Sequence, residues 1–322
     1  MIAQRDDTML DWQDIQIFLE VARGQRLSDA ARRLGLDHST LSRRTRRFEQ
    51  RLNTQLFERS THGYQLTEAG QQLLAHAEEM ARHAVEAGES LSDQDHRVSG
   101  QIRLGVTEGF GTWVIAPLLS AFCDRHPGVT LDLLALPRVV NLSRHEADLA
   151  ITVERPVSPG LVISRLCDYR LRLYGSRDYL ARHGAPTRLA ELGRHRLIGY
   201  VDDLIFSEQL SYLEPLLDPA VVGAPPHFAM RSTSVTTQHA ACRHGAGLAV
   251  LPCFMASTSE ALINVLEGEV EVVRQFWITA RQEQRRLARV RLLWDFLREA
   301  LETNRAFLMG ETRELVLPEA SP

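Results

Sequence analysis

The chain has 322 residues, 44% hydrophobic and 24% charged, which fits two or three globular domains and leaves little room for long disordered stretches. No apolar run approaches the roughly 18 residues that cross a bilayer, and the start, MIAQRDDTML, lacks a basic region followed by an apolar one, so no membrane span is expected and a cytoplasmic address is. The four cysteines, Cys123, Cys167, Cys242 and Cys253, form no C-x-x-C pair, which excludes a disulfide framework and a thiol zinc site, and a net charge of −4 by itself points to no partner.

The distribution of charge is more telling. All 37 basic residues are Arg, and Arg23 to Arg59 carries ten of them against four acids. Ser60 to His96 reverses the sign, with one Arg against seven acids. Only the first segment profits from a phosphate backbone, so a basic module joined by an acidic connector is expected.

In chain order, Asp11 caps a first helix with Ile15, Phe18, Leu19 and Ala22 at helical spacing, ended by Gly24. Ser28 caps a short second helix, DAARRL, with Ala30, Ala31 and Leu34 inward and Gly35 as the turn. In HSTLSRRTRRFEQRL, Leu41, Thr45, Phe48 and Leu52 form one apolar stripe. At about 100° per residue, Ser39, Arg43, Arg46, Arg47 and Gln50 lie opposite it. Helix, short helix, Gly turn and basic helix is the order of a helix-turn-helix, whose second helix enters the major groove. LFERSTHGYQLT then reads as two short strands around Thr61, His62 and Gly63, a wing over phosphates or the minor groove. Ser39, Ser42 and Arg43 are expected at base edges, and Arg46, Arg47, Arg59 and His62 on phosphates. Ser28, His38 and Thr40 complete the expected DNA-facing set.

The run FLEVARGQRLSDAARRLGLDHSTLSRRTRRFEQRLNTQLFERSTHGYQLTEAG resembles the N-terminal signature of LysR-type transcriptional regulators almost position for position, from Asp11 to about Gly70. Two positions depart from it. Thr45 stands where an aliphatic residue is usual, and His38 where Gln is common; Gln bonds adenine bidentately and His does not. The resemblance implies a winged helix-turn-helix, a long linker helix and an α/β two-lobed effector domain with the fold of periplasmic binding proteins. It also implies a homodimer or homotetramer on promoter DNA, contact with RNA polymerase, a small-molecule effector between the lobes, and no cofactor.

Thr67 caps the connector, a helix from about Glu68 to Asp93. Along it Gly70, Leu73, Ala77, Met80, Ala84, Ala87 and Leu91 keep the 3,4 spacing of a two-helix seam, and a helix this long and acidic has few partners in its own chain. Leu73, Ala77, Met80, Ala84, Ala87 and Leu91 are therefore the expected dimerisation residues. The family's linker helix occupies this position.

From Ser99 strand and helix alternate through QIRLGVT, GTWVIAPLLSAFCDRHP, VTLDLLAL, a short helix near Asn141 and DLAITV, as in a mostly parallel sheet. A second set begins near Leu166, continues through HRLIGYV, HFAMRST, a helix from Ser234 to His244 and GLAVLP, and returns through FWITA to a helix of about twenty residues. The expected domains are 9–67 for DNA binding, 68–96 for the linker, 99–165 with 272–308 for lobe I, and 166–271 for lobe II. Ligands in such sheets bind beyond the carboxyl ends of strands. Those ends carry Thr107 and Glu108, Pro137 and Arg138, Tyr200 and Asp202, and Thr233 and Ser234. Arg138 favours a carboxylate while Glu108 and Asp202 favour an amine or hydroxyls, so an amino acid or hydroxy acid satisfies both signs.

Enzyme readings fail on their residues. GVTEG has the spacing of a nucleophile elbow with Thr in place of Ser, and GFGTWV lacks the third Gly of a dinucleotide fingerprint. His239, Cys242 and His244 lack a fourth metal ligand. A redox pair of Cys242 and Cys253 has no electropositive setting in the sequence, and a periplasmic solute-binding protein would need a signal peptide and no basic helix-turn-helix.

Overall fold

The computed structural model describes residues 10–24, 27–60, 63–91, 98–136, 142, 146–158, 160–213, 217 and 227–318. The chain divides into two compact units, Met1–Asp95 and His96–Pro322.

The first unit holds α1 (Trp12–Gly24), α2 (Leu27–Leu34), α3 (His38–Leu52), a hairpin of β1 (Phe57–Ser60) and β2 (Gly63–Leu66), and α4 (Glu68–Leu91). Asp11 accepts a bond from the Gln13 N–H at 2.9 Å, which starts α1 where expected. Because α2 already begins at Leu27, Ser28 lies inside the helix and is not its cap. Helix ends are set by which first-turn N–H groups find partners, and sequence spacing locates them only to a residue or two. Gly35 supplies the positive φ of +63° that turns the chain from α2 into α3. Ile15 and Phe18 of α1, Ala30 of α2, and Leu41 and Phe48 of α3 meet in one core with Leu56 and Phe57. The Phe18 and Phe57 rings lie 5.3 Å apart.

Thr67 caps α4, its Oγ1 accepting from the Gly70 N–H at 3.0 Å. A Cβ at Gly70 would land on the Leu56 carbonyl oxygen, so only glycine lets the helix start this close to β1. The expected intersubunit seam divides along its length. Leu73 packs on the core of its own unit and Ala77 is fully buried in it. Ala77 is thereby corrected from a dimer residue to a domain residue, because α4 packs against α1. Met80, Ala84 and Ala87 are exposed, and the Leu91 side chain lies outside the described residues.

In the second unit β3 (Gly100–Thr107), β4 (Val129–Leu136), β5 (Leu149–Thr152), β6 (Leu161–Ser176), β7 (Arg196–Gly199), β8 (His227–Arg231), β9 (Leu248–Pro252), β10 (Leu262–Asn264) and β11 (Glu271–Arg281) form one nine-stranded mixed sheet. The order is β4-β3-β5-β11-β6-β9-β7-β8, with β10 also on β6. β3 is parallel to β4 and β5, and β7 is parallel to β8 and β9, so each flank is a small parallel sheet. The long strands β6 and β11 run antiparallel between the flanks and belong to both. Their register shifts between Phe276 and Trp277, where Arg165 faces Trp277 and Cys167 faces Phe276, leaving Leu166 as an extra residue. Two lobes thus share two continuous strands, β6 and β11.

Around the sheet pack α5 (Glu108–Phe110), α6 (Ala116–Arg125), α7 (Arg177–His183), α8 (Val235–Arg243), α9 (Cys253–Ala256), α10 (Gln282–Arg286), α11 (Ala288–Thr303) and α12 (Arg305–Leu308). A π turn, Gly111–Ile115, joins α5 to α6; the Ala116 N–H reaches back five residues to Gly111, and Pro117, having no N–H, cannot restore the ordinary ladder.

Candidate functional site

In the first unit the outward face of α3 is built by one residue that the sequence reading passed over. Asp37 is the N-cap, accepting the Thr40 N–H at 2.8 Å, the Thr40 hydroxyl at 2.8 Å and the Ser39 hydroxyl at 2.6 Å. These bonds, that from Ser39 foremost, hold its carboxyl well below the usual carboxylate range. Ser39 and Thr40 therefore offer acceptor lone pairs outward. The signal was local, an Asp directly before the first helical residue.

Behind this face Leu41, Thr45 and Phe48 are buried, and the Thr45 hydroxyl donates to the Leu41 carbonyl at 3.0 Å, so it is satisfied where an aliphatic residue was expected. Arg43, Arg44, Arg46 and Arg47 are exposed in front, as is His38, with Ser42 half-buried beside them. Two other Arg of the basic segment are engaged inside the domain. Arg33 bridges Glu20 at 2.6 Å and Arg51 bridges Asp14. Glu49 accepts the N–H groups of Leu56 and Phe57 at 2.9 and 3.0 Å, tying β1 to α3. An open groove between α3 and the hairpin is lined by Ser42, Arg46, Gln50, Asn53, Glu58 and Tyr64. The side chains of Ser28 and Arg59, and His62 entirely, lie outside the described residues.

In the second unit the strand-end residues gather only in part. Thr107, Glu108, Tyr200 and Thr233 line one inner cavity of about 40 Å³ between the lobes. Thr107 stands at the N-cap position of α5 without making a cap bond, so its hydroxyl is not used by the helix. Ser234 differs: it caps α8, accepting from the Thr237 N–H at 3.0 Å, and is not among the cavity walls. Asp202 is corrected out of the site, since it pairs with Arg231 at 3.0 Å on the surface. Pro137 and Arg138 lie outside the described residues.

The remaining walls come from residues far apart in the sequence. Phe276 stacks with Phe110 at 3.9 Å and with Tyr169 at 4.4 Å, and Phe254 meets Phe110 edge-on at 5.7 Å. The hydroxyl of Tyr212 lies close to those of Tyr169 and Tyr200. Burial pushes Tyr200 up to about 12, and the negative Glu108 nearby adds to the rise, so all three phenols are neutral donors and acceptors. Glu108 Oε2 is itself buried and has no hydrogen-bond partner among the described residues.

A second cavity of about 230 Å³ shares Thr107, Val153 and Phe206 with the first and opens past Thr152, Arg155 and Ser207. Ser207, between β7 and β8, donates to Glu154 after β5 at 2.5 Å, a bond across the cleft. The guanidinium of Arg155 lies 5.7 Å from the Trp277 ring centre. This wall was missed although the strand-end rule applied to Thr107 holds equally for the end of β5.

Outside the cleft, Cys242 donates to the Tyr174 carbonyl at 3.3 Å and Cys253 lies 3.4 Å from the Tyr174 hydroxyl. Burial pushes the Cys242 thiol up to about 12 and raises that of Cys253, the opposite of what a thiolate sensor needs.

Known proteins carry the same two parts. Residues 12–71 match the family model of bacterial regulatory helix-turn-helix proteins of the lysR family, and residues 95–302 match the LysR substrate binding domain. The HTH-type transcriptional regulator CrgA of Neisseria meningitidis serogroup C (strain 8013) is 27% identical over 296 residues, 91% of this chain and 97% of its own length. The solved structure of CrgA from Neisseria meningitidis has a TM-score of 0.56 at 25% identity, covering 91% of this chain and 99% of that one. Full-length CbnR, solved in complex with its target DNA, shares the fold at a TM-score of 0.63 and 18% identity over 90% of this chain and 99% of its own.

Proposed function

The chain belongs to the LysR family of transcriptional regulators, a helix-turn-helix joined to an effector-binding domain, and on that premise we propose that it reads promoter DNA through α3 and answers to a small polar effector held between the lobes. The observation that carries the reading is the face of α3, where Arg43, Arg46 and Arg47 are exposed opposite a buried stripe and no acid of the same helix is fully exposed among them. Ser42 and Arg43 meet base edges near the helix start, while Arg46, Arg47, Arg59 and His62 hold phosphates. His38 contributes a single bond where a bidentate amide is usual in the family.

Two copies pair through Met80, Ala84, Ala87 and Leu91 in the distal half of α4, which sets the half-site spacing. The effector enters by the cavity beside Arg155 and parts Ser207 from Glu154 as it reaches Thr107, Tyr200 and Thr233. The inner cavity has the volume of about one water in its present shape, so binding and lobe rearrangement are one event, and a ligand that prefers one arrangement shifts operator affinity. The chain acts as a binding protein, with RNA polymerase as its further partner on DNA. Sequencing the DNA fragments retained by the purified protein tests this. Enrichment of one motif with two half-sites is expected; retention without sequence preference would refute the base-reading role of α3.

A further inference from the structure

The inter-lobe cleft carries more information about its occupant than its position alone. Its inner part is walled by Tyr169, Tyr200, Tyr212, Phe254 and Phe276, and among the described residues the one charged side chain in the walls is Glu108. The Oε2 atom of that carboxylate is out of contact with solvent and has no hydrogen-bond partner among the described residues. The other expected acid near the strand ends, Asp202, pairs with Arg231 on the surface, which leaves Glu108 as the acid of the inner cavity wall among the described residues.

A buried carboxylate oxygen without a donor is costly, and a ligand can relieve it with a neutral donor or with a cationic one. Aromatic walls favour the second, because ring faces carry negative electrostatic potential and stabilise a desolvated ammonium group. An anionic or neutral aromatic ligand would fit the rings but leave the charge of Glu108 uncompensated, and an anion would be repelled by it. Among the described residues the outer cavity carries one cation, Arg155, together with Glu154, whose carboxylate already accepts the Ser207 hydroxyl at 2.5 Å.

On the reading that this cleft is the effector site, we propose that the effector is a small organic cation, its ammonium head against Glu108 and the surrounding rings and any carboxylate of the same molecule turned outward to Arg155. The inner cavity of about 40 Å³ has room for about one water in its present shape, so it widens as the ammonium head enters. The outer cavity of about 230 Å³ takes a short chain and its polar end.

The test uses the full chain and four probes in a thermal-shift assay at equal ionic strength: n-butylammonium, 4-aminobutyrate, butyrate and benzoate. The two ammonium compounds are expected to raise the melting temperature and the two anions are not. Glu108→Gln keeps the shape, removes the charge and relieves the uncompensated oxygen, so it should melt no lower than the wild type while losing about tenfold or more in affinity for the ammonium probes. Tyr200→Phe, which keeps the ring, should retain their binding. Absence of any shift specific to the ammonium probes, or an equal shift in Glu108→Gln, overturns the proposal. If butyrate or benzoate stabilises the wild type and Thr107→Val abolishes that effect, the cleft stands as effector site and the cationic class falls. If ammonium binding survives both Glu108→Gln and Thr107→Val, the ligand sits elsewhere and the cleft reading falls with it.

Discussion

Two substitutions seven residues apart on α4, Ala77→Glu and Ala84→Glu, should separate the part of this helix that belongs to its own domain from the part that pairs subunits. Both positions lie on one 3,4-spaced stripe, yet Ala77 is 0% exposed in the core of the first unit and Ala84 is exposed. At Ala77 a glutamate would leave a buried, unpaired carboxylate, costing about 3 to 5 kcal/mol, with overpacking adding about 1 to 3 kcal/mol. A unit spanning Met1–Asp95 has a stability of about 5 to 14 kcal/mol at the usual per-residue value, so Ala77→Glu removes much or all of it. At Ala84 the cost to the protomer should stay within about 0.5 kcal/mol. Two symmetry-related carboxylates brought together in a dimer seam would instead weaken association by several kcal/mol, about a hundredfold or more in dissociation constant. Circular-dichroism melts, sedimentation velocity and gel shifts read the three quantities. Ala77→Glu should lose the melting transition of the DNA-binding domain at any protein concentration. Ala84→Glu should melt as the wild type at low concentration but sediment as a lighter species and bind operator weakly. A tolerated Ala77→Glu would refute the intrachain packing, and an Ala84→Glu protein with unaltered assembly and operator affinity would refute pairing through the distal helix.

Other expectations follow from the same geometry. Arg43→Ala should cost about 1 to 3 kcal/mol on the operator and relax sequence choice, whereas Arg47→Ala should weaken cognate and scrambled duplexes alike; equal losses on both duplexes for Arg43→Ala would remove it from base reading. Thr107→Val should blunt the effector response and leave operator binding without effector unchanged, as measured by titrating effector into a labelled operator complex; a full response would exclude this hydroxyl. Burial, and next the charge of Arg243, lower the pKa of His239 from 6.5, so the unfolded chain takes up a proton that the folded one refuses as pH falls through 6.5. Stability of the effector domain should therefore decline from pH 7.5 to pH 5, and His239→Gln should flatten part of that decline in melts across the range, with His126 and His195, lowered by burial in the same sense, accounting for the rest.

The basic face of α3, the cap at Thr67, the hairpin and the strand-helix alternation of the second unit were legible from the residues because each depends on partners within a few positions. A helix places residues three and four apart on one side whatever the rest of the chain does, and a cap needs only its own first turn. Asp37 was equally legible by that reasoning and was passed over. The start of α2 was misplaced by two residues, with Ser28 inside the helix, because a helix end depends on what satisfies its first N–H groups.

Tertiary structure alone decided the rest. The stripe on α4 reads the same whether it meets its own domain or a second copy, and only packing divided Ala77 from Ala84. Asp202 and Glu108 are both acids at strand ends, yet one found Arg231 and the other lines a cavity with rings contributed by residues 110, 169, 254 and 276. The bulge in the β6–β11 ladder was set by the pairing of Arg165 with Trp277 and Cys167 with Phe276, partners more than a hundred positions apart. Local spacing determines which face a side chain takes; what that face meets, and hence whether a charge is neutralised or left uncompensated, is determined by contacts that no sequence window contains.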